Sequence, residues 1–105
     1  MSDLEDYERA ILLQMYDRGI ISKPNYKPIE KVRSIIKWQQ IASAYHIKKK
    51  FERIARVLVN KKLLSDDGKS MQVLYLDKLG VDYVQAHLDE NPNAMADLEA
   101  RLSHA

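Results

Sequence analysis

Two apolar stripes of helical period, separated by only a few residues, constrain this chain more than any other feature. Trp38, Ile41, Ala42 and Tyr45 recur at i, i+3, i+4 and i+7, one face of a short helix over about residues 37–45. His46, Ile47 and Lys48 make a tight connection. Phe51, Ile54, Ala55 and Leu58 then begin a second face over about 49–62, with the Lys62 stem able to cover apolar surface at its end. Helices this short are marginal alone and take their stability from burying such a face. The two stripes are therefore expected to fold as a pair, braced by elements elsewhere in the chain.

Those elements are legible on both sides. Ser2-Asp3-Leu4-Glu5 has the spacing of a capping box, and Leu4, Tyr7, Ile11, Leu12 and Met15 follow at helical spacing. This predicts a first helix over about 3–18, stopped by Gly19. Residues 20–28 hold Pro24, Asn25 and Pro28 and are expected to be a connection without regular structure. Residues 29–36 fit either a short helix, through Val32, Ile35 and Ile36, or a short strand at Ile35-Ile36. After Leu63-Leu64, the Asp66-Asp67-Gly68 turn between apolar runs signals a hairpin. Its return strand is Met71 to Leu76, with Val73 and Tyr75 on one side and Leu74 and Leu76 on the other. Asp77 is placed to cap a helix over about 78–89 with Leu79, Tyr83, Val84 and Leu88 inward. Met95, Leu98 and Leu102 predict a last helix over about 94–103.

The fold class expected is mainly α with a small β-hairpin: one body over residues 1–90 and a helical extension over 91–105, a candidate dimerisation element. At 105 residues and 46% apolar the chain can build one real core. Its longest uninterrupted apolar runs, such as 10–13 and 57–59, are far below the ~20 residues of a membrane span. The acidic start lacks the pattern of a signal peptide, and there is no cysteine. The expected setting is cytoplasmic, with no membrane partner.

Charge is distributed unevenly behind a net +2. Residues 23–62 carry twelve Lys or Arg against Glu30 and Glu52 alone, whereas 1–10 and 89–105 each carry four acids and one Arg. A basic middle between acidic ends is the electrostatic footprint of a polyanion binder. Catalytic constellations are missing. The three glycines form no phosphate loop, His46, His87 and His104 have no ligand spacing, and Ser43 and Ser65 have no nucleophile context. The expectation is a protein that is not an enzyme and uses no cofactor, metal or small-molecule substrate.

The stretches WQQIASAYHI (38–47) and KKKFERIARVLVNKKLL (48–64) resemble the helix-turn-helix family, and LDKLGVDYV (76–84) is similar to the segment that follows the wing in small prokaryotic and archaeal winged helix-turn-helix regulators. In that resemblance Ile41, Ala42 and Ile47 are the buried trio of the first helix and turn. Helix 49–62 is the element for the DNA major groove and the 64–76 hairpin is the wing. Projected at ~100° per residue, Lys49, Arg53, Arg56 and Asn60 lie opposite Phe51, Ile54 and Leu58. Arg suits guanine and Asn suits adenine. Lys48, Lys50 and Lys61 suit phosphates, as do Gln39 and Gln40 at the start of the supporting helix, and Lys69 and Ser70 sit at the hairpin tip. Trp38, Tyr45 and Phe51 are expected in the core. The resemblance implies a duplex-DNA-binding protein, general or sequence-specific, acting in transcription regulation as a homodimer through its terminal helices. The alternatives are a winged-helix subunit of a multiprotein complex, its basic face against an acidic partner, or an RNA-binding member of the same fold.

Overall fold

The computed structural model describes residues 4–68 and 71–104. In chain order these form α1 (Asp6–Asp17), a 3-10 turn (Lys23–Asn25), β1 (Lys27–Pro28), α2 (Ile29–Ile35), α3 (Trp38–Ala44) and α4 (Phe51–Asn60), then β2 (Leu64–Ser65), β3 (Val73–Leu76), α5 (Lys78–Glu90) and α6 (Ala94–Ser103). The result is mainly helical with one small antiparallel sheet of order β1-β3-β2. Ser2, Asp3, Lys69 and Ser70 lie outside the described residues.

The central helix is α1. Ala10, Ile11, Leu12, Leu13 and Met15 are all buried, so it is covered on most sides, by α3, α5 and β3. It starts later than the sequence suggests. Glu5 is the N-cap, and its N–H donates to Glu8 Oε1 at 2.9 Å, so the capping pattern closes on Glu5 and Glu8. Gln14 is 2% exposed, and its Nε2 donates to the Ile36 carbonyl at 3.1 Å, which ties α1 to the end of α2.

The segment expected to be irregular is in part regular. Ser22 N–H donates to Leu76 O and Leu76 N–H to Ile20 O, and Lys27 and Pro28 pair with Leu74 and Val73. Pro28 has no N–H to give, and it fits because β1 lies at the sheet edge. Residues 29–35 take the helical option; Ile36 is the C-cap of α2, and Lys37, with φ +59, leads into α3.

Three helices stop with the same pair of hydrogen bonds, in which two successive N–H groups fold back on the last turn. They are Gly19 to Tyr16 and Ile20 to Met15 after α1, His46 to Ser43 and Ile47 to Ala42 after α3, and Lys62 to Val59 and Leu63 to Leu58 after α4. The motif needs a left-handed residue. Glycine fills that place at φ +75 after α1, but His46 and Lys62 fill it at +56 and +68. Helix α4 is thus shorter than expected, and Lys62 is an exposed turn residue outside its apolar face. The hairpin keeps its predicted alternation, with Leu74 and Leu76 buried and Val73 and Tyr75 half-buried. Asp66 Oδ1 accepts the Gly68 N–H at 2.9 Å in the turn.

Asp77 does cap α5, accepting from Lys78 N–H at 2.8 Å, and it also accepts the Ser65 hydroxyl from β2. Leu79, expected inward, is 44% exposed. The residue turned inward is Gly80, where an added Cβ would collide with the Leu63 carbonyl oxygen. This close approach sets the rotation of α5, and Val84 follows Gly80 into the core. Leu98 and Leu102 of α6 belong to the same buried cluster as α1, α3 and α4. The Cα radius of gyration is 12.6 Å, close to the ~13 Å of a single packed body of this size, so α6 does not project as an arm.

Candidate nucleic-acid interface

The apolar side of α4 holds it in place. Phe51, Ile54, Ala55 and Leu58 are 0–3% exposed, and the Phe51 ring meets Trp38 of α3 with centroids 5.4 Å apart at 50°. Such a tilted aromatic pair adds about 0.5–1.5 kcal/mol beyond its burial. With that side fixed, the opposite side is fixed too: Arg53, Arg56 and Asn60 are exposed. Neither Arg53 nor Arg56 has an ion-pair partner among the described residues. Glu52, the carboxylate nearest in sequence, is engaged by α2 instead, with Arg33 Nη1 donating to its Oε2 at 2.9 Å. Both side chains of that pair are more than 40% exposed, so it contributes only about 0–1 kcal/mol. Its consequence is placement: it draws the acidic group away from the two free guanidinium groups.

Lys48, Lys49 and Lys50 are exposed in the turn before α4, with Lys50 as the N-cap. Lys49 is therefore not a helical residue. It reaches the same side of α4 by lining, with Arg53, Ile54, Val57 and Lys61, a groove that Glu5, Tyr7 and Glu8 complete. Lys61 departs furthest from expectation. Its Nζ lies 3.4 Å from Glu8 Oε1, and the Glu8 side chain is only 6% exposed, so Lys61 is tied to α1 and holds a buried carboxylate. Gln39 and Gln40 are exposed at the start of α3 and both border Arg33, Lys37 and Trp38, but each also has neighbours of its own. Gln39 lies beside Arg33, Lys50 and Phe51, whereas Gln40 borders Gln14, Glu99 and Ser103 near α6. Lys69 and Ser70 fall outside the described residues, so only Asp66, Asp67 and Gly68 of the hairpin turn are described.

Two residues of this surface were not foreseen. Arg33 gave no local signal, because its role depends on a partner nineteen positions away. Val57, 41% exposed between Arg53 and Asn60, was available from the helical projection, but apolar residues are assigned inward by default.

No family model, curated protein or solved structure matches this chain. The interface must be judged on its own chemistry.

A second surface differs in character. A cleft of about 460 Å³ opens between α1, α5 and α6, lined by Asp6, Arg9, Tyr45, His87, Asp97 and Arg101 among others. Arg9 is held by Tyr83 Oη at 2.9 Å and Asp6 Oδ1 at 3.1 Å, and the Arg101 guanidinium lies 4.3 Å from the Tyr45 ring centre. Burial, and then the neighbouring Arg9 charge, push the His87 pKa below the ordinary imidazole range. Charges of both signs alternate here, with no net field to gather a polyanion. Among the described residues no group of His, Asp and Glu side chains can hold a metal ion, and no helix is long and apolar enough to cross a membrane.

Proposed function

We propose that this chain is a winged helix-turn-helix protein that binds duplex DNA, with α4 in the major groove and the β2–β3 hairpin as the wing, and that its role is recognition without catalysis. One observation carries the reading. The solvent face of α4 presents Arg53, Arg56 and Asn60, and no carboxylate neutralises either guanidinium among the described residues. A helix braced by a second helix fits a groove about 12 Å wide, and guanidinium and carboxamide groups match base edges there. Lys48 and Lys50, with Gln39 beside Lys50, take the phosphates that set the register. Lys61 is removed from this set because Glu8 holds it.

The test is fluorescence anisotropy with a labelled duplex across a salt series. The wild type is expected to bind with affinity that falls steeply with salt. The double variant Arg53→Ala, Arg56→Ala is expected to lose at least ~30-fold, from two contacts of about 1–3 kcal/mol each. Equal binding by both proteins would remove α4 as the recognition element. Absence of binding by the wild type would turn the cationic face toward an acidic protein partner.

A further inference from the structure

Val57 does little for α4 as a folding element. It is 41% exposed, while Phe51, Ile54, Ala55 and Leu58 already fill the inward face. It is β-branched, which costs a helix side-chain freedom. A single exposed apolar residue is ordinary on a protein surface, but the neighbours of this one are informative. Position 57 lies one turn after Arg53 and one turn before Asn60 and Lys61. With Ile54 it forms the apolar part of a groove of about 210 Å³ that Lys49, Arg53 and the Glu8-bound Lys61 also line, and that Glu5, Tyr7 and Glu8 close from the α1 side. By exposure and helical spacing its methyl groups stand between the Arg53 guanidinium and the Asn60 carboxamide along the solvent face of α4.

Base edges in the major groove offer hydrogen-bond donors, acceptors and one apolar group, the thymine 5-methyl. Arginine and asparagine answer the polar groups, and only an apolar side chain gains from the methyl. A lysine at position 57 would strengthen binding to any duplex through its phosphates, whereas valine strengthens binding only where a methyl is present. Resting on the DNA-binding reading above, we infer that Val57 selects thymine through its 5-methyl group. Positions 57 and 60 are about 4.5 Å apart along the helix axis, close to one base-pair step of ~3.4 Å. That spacing allows the selected thymine and the base facing Asn60 to be neighbours.

Duplexes retained by the full chain from a random-sequence pool at about 150 mM salt are remade with single thymines replaced by 2′-deoxyuridine. That exchange keeps every hydrogen-bonding group and removes only the methyl. At one thymine the wild type is expected to lose about fourfold in affinity, the worth of one buried methyl-sized group. Val57→Ala is expected to bind the thymine duplex more weakly by a similar factor and to treat thymine and uracil alike there. Val57→Thr, which preserves shape and one methyl, is expected to keep part of the discrimination. Equal wild-type affinity for thymine and uracil at every position, with salt-dependent binding intact, would overturn the role of Val57 and leave the DNA-binding reading standing. A pool from which no duplex is retained would overturn both.

Discussion

Glu8 and Lys61 show how one contact separates residues that look alike in a sequence. Lys48, Lys50 and Lys61 all flank the same helix, yet only Lys61 faces a carboxylate whose side chain is 6% exposed. Removing the partner of a buried charge leaves that charge uncompensated. Lys61→Ala is expected to lower stability by about 1–2 kcal/mol, discounted because Lys61 itself is partly exposed. Lys48→Ala and Lys50→Ala should stay within about 0.5 kcal/mol. Urea unfolding of the three variants checks this, and similar midpoints for all three would contradict it. His87 supplies a second test at this scale. Its folded-state pKa is depressed, so its contribution to stability is present above the ordinary imidazole value of about 6.5 and is lost as pH falls through the folded-state pKa. An NMR titration should place its midpoint below that value, and Arg9→Ala should raise the midpoint by removing the second cause. A His87 midpoint at or above the ordinary value would refute this account of its surroundings.

At the scale of elements, what could be read in advance depended on whether the determinant was local. The inward stripe of α4 is local, so its outward face of Arg53, Arg56 and Asn60 followed by subtraction. Lys49 falls in the turn before α4, because the helix starts after Lys50 as N-cap, and periodicity does not report that boundary. Strand β1 exists because Leu74 and Val73 present a free edge, a partner more than forty residues away. Leu79 reads as inward because large apolar residues default to the core, but Gly80 takes that space against the Leu63 carbonyl. The helix stops carry a prediction of their own. His46 and Lys62 hold left-handed conformations that side chains disfavour by about 1–2 kcal/mol. After allowance for the added chain entropy of glycine, His46→Gly and Lys62→Gly should each raise stability by about 0.5–1 kcal/mol. A lower denaturation midpoint in either variant would count against the assigned geometry.

Across the whole molecule, the apolar faces that suggested a homodimer are already used. Ile11, Leu12 and Leu13 of α1 and Leu98 and Leu102 of α6 are 0–7% exposed within one cluster. The apolar residues that these helices bury are therefore not available to a second copy. Sedimentation at micromolar concentration should report the 12.2 kDa of one chain, and a stable species of twice that mass would show that another surface pairs. The charge pattern survives folding, with consequences for where a polyanion can sit. The cationic face is bordered by Glu5 and Glu8 on its α1 side and by Arg33 and Lys50 on its α2 side. The duplex phosphates are expected to gather beside Lys50 and Gln39 rather than beside Glu5 and Glu8, with the bases over the exposed face of α4.

The most direct check is an NMR titration of isotope-labelled protein with a duplex at about 150 mM salt. Amide shifts are expected to concentrate at residues 48–60 and at the hairpin, with weaker effects at Gln39 and none around Arg9, His87 and Arg101. Shifts centred on the cleft between α1, α5 and α6, or an α4 face that does not respond to any duplex, would contradict it.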